Sequence, residues 1–63
     1  MREGRVKFFR EHKGFGFIID DETQKEHFVH ISGLIDAVHS KERVSFELEK
    51  GKKGLMAVNV KLI

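Results

Sequence analysis

The 63-residue chain contains no cysteine, no proline, no tryptophan and no tyrosine. Without cysteine there is no disulfide framework, no thiolate metal site and no cysteine nucleophile. That removes the usual staples of a small secreted domain and makes a reducing cytoplasm the expected compartment. Without proline there is no stiff linker to divide the chain. Long apolar runs are missing too: nothing approaches the roughly 18 residues of a spanning helix, and Met1-Arg2-Glu3-Gly4-Arg5-Val6-Lys7 lacks the apolar centre of a signal peptide. An unexported protein with no membrane partner is expected. One domain over residues 1–63 fills the chain, and a single core of this size leaves only about 3–5 kcal/mol of stability.

What is present is charge, unevenly placed. Lys and Arg number 12 against 10 Asp and Glu, a formal net charge of +2. Arg2, Arg5, Lys7, Arg10 and Lys13 face only Glu3 and Glu11 over residues 1–17, a surplus of +3, whereas Asp20, Asp21, Glu22 and Glu26 against Lys25 make residues 18–30 −3. A basic N-terminal third fits a polyanion-binding face.

Glycines and charge clusters divide the chain into five short runs: Gly4–Arg10, Gly14–Ile19, His27–Ile31, Arg43–Lys50 and Leu55–Ile63, rich in Val and Phe or alternating apolar with polar. Glu11-His12-Lys13, Asp20–Glu26 and Gly51-Lys52-Lys53-Gly54 read as hairpin connections, the last supplied with glycine for positive φ and the acidic one as a solvated loop. In the longest connection, Ser32–Glu42, the spacing of Leu34, Ile35 and Val38 predicts a helical or 3₁₀ turn over the end of the fold. Five short strands in an open sheet leave unprotected edges, so closure is favoured. The expected fold is all-β, a five-stranded antiparallel Greek-key barrel.

Lys13-Gly14-Phe15-Gly16-Phe17-Ile18 carries the chemistry. In a strand Phe15 and Phe17 share one face, and Gly14, Gly16 and Ile18 the other. If Ile18 points inward, two phenylalanines stand outside, where unpaired bases would stack on them. The opposite assignment makes both rings core. Against it, Val6, Ile18, Val29, Val44, Phe46, Leu48, Val58 and Val60 already supply an inward set for a barrel of this size. In His27-Phe28-Val29-His30-Ile31-Ser32, alternation puts Phe28 and His30 on one face and Val29 with Ile31 on the other. Paired beside the glycine-rich strand, Phe28 and His30 would extend a stacking platform, each base worth about 1–3 kcal/mol. Phe8 and Phe9 are adjacent, so at least one is outside unless a bulge intervenes. Lys7, Arg10 and Lys13 surround that edge and are placed to meet phosphates.

Gly4-Arg5-Val6-Lys7-Phe8-Phe9, Lys13-Gly14-Phe15-Gly16-Phe17-Ile18 and Phe28-Val29-His30-Ile31-Ser32, in that order, resemble the cold-shock domain family. Val44-Ser45-Phe46 and Ala57-Val58-Asn59-Val60 are similar to its fourth and fifth strands. The resemblance implies an oligonucleotide-binding barrel whose aromatic face takes single-stranded RNA or DNA, tolerant of sequence with a leaning to pyrimidines. It carries binding roles to Lys7, Phe8, Phe9, Lys13, Phe15, Phe17, Phe28 and His30. The chain departs from the family at Phe8, usually tryptophan, at Arg10, usually asparagine, and at Ile31, usually phenylalanine. Its Ser32–Glu42 connection is also shorter and lacks a loop aromatic. An RNA-recognition motif shares the Lys-Gly-Phe-Gly-Phe string but needs two helices and the reverse motif order.

Other chemistries find little support. His12, His27, His30 and His39 beside Asp20-Asp21-Glu22 suggest a metal site, but His27 and His30 are three apart in a strand and point to opposite faces. Ser32, Ser40, Ser45 and Thr23 are scattered and sit in no nucleophile elbow. No enzyme, no cofactor, no metal and no small-molecule substrate are expected. A monomer is expected, with strand exchange between copies the alternative. The competing function is a small-barrel protein-interaction module in which Phe15, Phe17 and Phe28 dock a partner inside a basic rim.

Overall fold

The computed structural model describes residues 1–51 and 54–63. Five strands, β1 (Arg2–Arg10), β2 (Phe15–Asp20), β3 (Glu26–His30), β4 (Arg43–Gly51) and β5 (Gly54–Leu62), close into a barrel in the order β1-β2-β3-β5-β4. Antiparallel pairing holds at every seam but one: β3 runs parallel to β5, through Phe28 opposite Met56 and Val29 opposite Ala57. An odd number of strands makes this unavoidable, because a closed ring of five cannot alternate direction all the way round. The fully antiparallel expectation is therefore corrected at that seam alone.

Val6, Ile18, Val29, Val38, Val44, Phe46, Ala57 and Val60 form the buried core. Six of these were legible from alternation. The differences trace to irregular backbone. In β5, Glu47 pairs with Val58 and Ser45 with Lys61, so Asn59 and Val60 together oppose Phe46, and Asn59 takes a left-handed φ of 52°. This bulge shifts the inward phase by one residue. Ala57 and Val60 face the core, and Val58 is moved to a half-buried outer position. Leu48 is only partly buried against the core.

The Ser32–Glu42 connection also differs from expectation. The 3₁₀ turn covers Ile31–Gly33, before the apolar group rather than in it, and Leu34 then bridges Val60 in parallel. Val38 enters the core, but Ile35 stays 58% exposed. Ile31, expected inward beside Val29, leaves the strand with the turn and is exposed. Of the expected Gly51–Gly54 turn, Lys52 and Lys53 lie outside the described residues; Gly51 and Gly54 pair, and Gly54 has φ +109°.

Asp20 also departs from expectation. It belongs to the acidic run read as solvated, yet its side chain is 1% exposed. Its Oδ1 accepts from the backbone N–H of Glu22 at 2.9 Å and of Thr23 at 3.4 Å. Its Oδ2 accepts from Arg2 at 2.9 Å and from His27 Nε2 at 3.2 Å. Burial alone would raise the carboxyl's pKa, but the hydrogen bonds from Glu22, His27, Thr23 and Arg2 outweigh it and hold it below the usual 3.8. The His27 ring, itself buried, rests against Phe46 at 5.8 Å between centroids.

Candidate nucleic-acid interface

The outer face of β1, β2 and β3 is set by two backbone devices. Val6 pairs with Ile18 but Phe8 with Phe17, so Lys7 is an extra residue in β1. Two neighbours on the same face follow: Lys7 and Phe8 both point outward, and Phe9 turns back to pack against the core. Opposite this stretch, Gly16 lets the strands close. A Cβ there would collide with the Phe8 carbonyl oxygen and stand 2.7 Å from the Phe9 ring. Gly14, at φ +71°, turns the β1–β2 hairpin and accepts the Ile31 N–H at 2.8 Å, anchoring the 3₁₀ turn beside β2.

The registers then arrange the outward side chains in two rows across the strands. One row runs Phe8, Phe17, Phe28 and, through the parallel seam, Met56; the other runs Arg10, Phe15 and His30. The phenylalanine rings meet mostly edge to face: Phe8–Phe17 at 5.5 Å, Phe17–Phe28 at 6.0 Å, Phe15–Phe17 at 6.5 Å and Phe8–Phe15 at 6.4 Å. Phe15 and Phe28 lie 6.1 Å apart and nearly parallel, at 18°. Each ring thus covers part of its neighbour. Phe8, Phe15 and Phe17 are half-buried and Phe28 is 37% exposed, an apolar sheet surface open to a flat ligand.

Polar groups border it. Arg10 holds its guanidinium carbon 5.4 Å from the Phe8 ring centroid. Lys7 bonds Glu26 at 3.0 Å, and Lys13 is exposed on the hairpin without an ion-pair partner among the described residues. His30 caps the 3₁₀ turn: its Nδ1 accepts the Ser32 N–H at 3.1 Å and meets Ser32 Oγ at 2.8 Å. The neutral ring therefore carries its proton on Nε2, directed away from the cap.

Phe8, Arg10, Phe15, Phe17, Phe28 and His30 are thus brought together, with Lys7 and Lys13 at the margin. Phe9 is not on this platform. It lines a groove of about 320 Å³ with Ile31, Leu34, Ile35 and Val38, where β1 ends. A larger groove of about 860 Å³ opens where β1 begins, beside Arg2, Asp20, Glu22 and Leu48, away from the aromatic rows. Met56 is the platform member that sequence reasoning missed. Its place depends on the β3–β5 seam between residues 28 apart in the chain, and nothing local signals that pairing.

Residues 2–63 match the family model described as 'Cold-shock' DNA-binding domain. The chain is 44% identical over 61 residues to a cold shock-like protein, CspG, of Shewanella violacea, covering 90% of this chain and 87% of that one. It is 42% identical over 65 residues to the cold shock-like protein CspC of Shigella flexneri, covering 97% and 94%. Among solved structures, Drosophila Unr is similar with a TM-score of 0.81 at 25% identity, covering 98% of this chain; the chain spans about a quarter, 26%, of that structure. No helix among the described residues is long and apolar enough to cross a membrane.

Proposed function

The chain belongs to the cold-shock domain family, a nucleic-acid-binding fold, and from that premise we propose that it binds unpaired RNA or single-stranded DNA by stacking bases on Phe8, Phe15, Phe17, Phe28 and His30. The observation that carries this reading is the two-row arrangement itself. Ring centroids along the first row are 5.5–6.0 Å apart, wider than the about 3.4 Å between stacked bases of a duplex strand. A strand must be unpaired and stretched to place one base on each ring.

Stacking supplies affinity without base identity, since every base has a π-face. Lys7 and Lys13 add positive charge for phosphates, which strengthens binding without reading sequence. A leaning to pyrimidines fits the small, closely set rings and the single outward N–H donor of His30, which suits a carbonyl-bearing base edge. The cellular role that follows is an ATP-independent RNA chaperone: modest, sequence-tolerant binding in the cytoplasm that keeps RNA open and so influences transcription or translation. Phe9 is retained as a contributor through the backbone it fixes, not as a stacking surface.

Fluorescence anisotropy with end-labelled oligo-dT, oligo-U and duplex DNA over a salt series tests the reading. Binding to both single strands and not to the duplex is expected, weakening with salt by a log–log slope of about −0.7 per phosphate contacted. Salt-indifferent behaviour, or no binding to any strand at low salt, would turn the aromatic face into a protein-docking surface. The chaperone role stands or falls separately: saturating protein should open a marginal RNA hairpin without ATP.

A further inference from the structure

Resting on the single-strand-binding reading above, we propose that Arg10 is a stacking residue: its guanidinium, held against Phe8, forms with that ring one compound station on which an unpaired base lies. Its sequence-level role was phosphate steering, and three observations point elsewhere.

Register comes first. Beyond the Lys7 bulge, Phe8 and Arg10 are two residues apart on the same face, and Arg10 stands opposite Phe15, which stands opposite His30. Arg10 thus fills the β1 position of the second row, just as Phe8 fills it in the first. Had β1 run without the bulge, alternation would have turned both side chains inward.

The second observation is where the charge is directed. Arg2 and Arg43 both meet carboxylates, Asp20 at 2.9 Å and Asp21 at 2.7 Å. Arg10 has no carboxylate within ion-pair distance among the described residues, although Glu11 follows it in the chain and pairs instead toward His39 at 3.9 Å. Its guanidinium lies over an aromatic ring at 5.4 Å.

The third is the chemistry of the group. Guanidinium is planar, delocalised and weakly hydrated, and it stacks on rings and beneath bases, whereas an ammonium does neither. The Phe8 ring attracts the cation from one side and fixes its orientation. Its other face is offered to a base, and its N–H edge to an acceptor lying in the guanidinium plane. Stacked over Phe8, the guanidinium presents its own planar face to the base, at the station where the family usually carries an indole.

The test compares Arg10→Lys, Arg10→Ala and Arg10→Tyr with the unmodified protein, by anisotropy of labelled oligo-dT over a salt series. Thermal melts confirm that each variant is folded, as expected for an exposed strand end. A stacking Arg10 predicts that Arg10→Lys loses about fivefold or more in affinity while keeping the salt slope, because the charge remains and the plane is gone. Arg10→Tyr should recover most of the affinity without the charge. If Arg10→Lys binds as well as the unmodified protein and only Arg10→Ala weakens, with a slope shallower by about 0.7, Arg10 is a phosphate contact and the proposal is wrong. If the unmodified protein binds no single strand, the underlying reading fails first and visibly, before any variant is compared.

Discussion

Among single residues, the two faces of the sheet separate binding from stability. Phe17 and Val29 sit one strand apart, the first on the platform and the second fully buried. Phe17→Ala should cost about 1–3 kcal/mol of oligonucleotide affinity, roughly 5- to 150-fold in Kd, and little stability, since the ring leaves a surface and not a cavity. Val29→Ala should cost about 2 kcal/mol of stability from lost methyl burial and the void left behind, with affinity intact wherever the variant is folded. Urea melts and anisotropy on the same samples check both; a Phe17→Ala variant that unfolds while Val29→Ala does not would invert the faces. Asp20 makes a third residue-scale case. Its folded pKa is depressed, so the stability it contributes is fully present above its unfolded value of 3.8 and is lost as pH falls through the lower folded value. Asp20→Asn should therefore destabilise by about 1.5–3 kcal/mol at neutral pH, because an amide N–H₂ cannot accept from both Arg2 and His27. It should also flatten the stability-versus-pH curve below about pH 4. A variant whose acid limb stays as steep as the original would mean that other carboxylates carry it.

At the level of strands, two bulges decide what faces where. Each adds one residue to a period of two. At Lys7 the addition sends Phe8 outward and Phe9 inward; at Asn59 it exchanges Val58 for Ala57 in the core. That is why strand positions and most of the core were legible from alternation, while Val58 and the split between Phe8 and Phe9 were not: a period of two carries no mark of the point where it is broken. The one hint was Asn59 itself, a residue type that tolerates a left-handed φ. The platform residues of β2 and β3 were legible because both strands are regular, so that Phe15, Phe17, Phe28 and His30 keep strict alternation. Asp20 and Met56 were not, since one depends on Arg2 and His27 arriving from other strands and the other on the parallel seam. The bulge in β5 can be tested directly. Asn59→Gly should keep the fold at near-original stability, whereas Asn59→Val should cost about 1–2 kcal/mol, because a β-branched side chain is strained at φ 52°. Equal melting curves for the two variants would show that the left-handed position is not what sets the phase of β5.

For the molecule as a whole, closure and the site have one origin. Five strands need a parallel seam, and that seam carries the first aromatic row past Phe28 to Met56. The row then ends, because β4 lies beyond β5 and offers Glu49 opposite Met56, an acidic side chain unsuited to a nucleic acid. At the other side Phe8 and Arg10 close the rows, and Ile31, exposed on the 3₁₀ turn, supplies no ring to continue them. Neighbouring rings along the first row stand 5.5–6.0 Å apart, so the platform is a short, bounded surface. It should accommodate a strand of about four to six nucleotides, at the small end for barrels of this kind. Affinity for oligo-dT is accordingly expected to rise steeply up to that length and then level off, with further gains only from the added number of binding registers. Cold-shock domains carrying the full aromatic set should keep gaining over longer strands. A length series by anisotropy at fixed salt checks this. An affinity that climbs another tenfold or more beyond about six nucleotides would mean that the strand continues over the groove lined by Phe9, Ile31 and Leu34, and that the binding surface extends past the two rows.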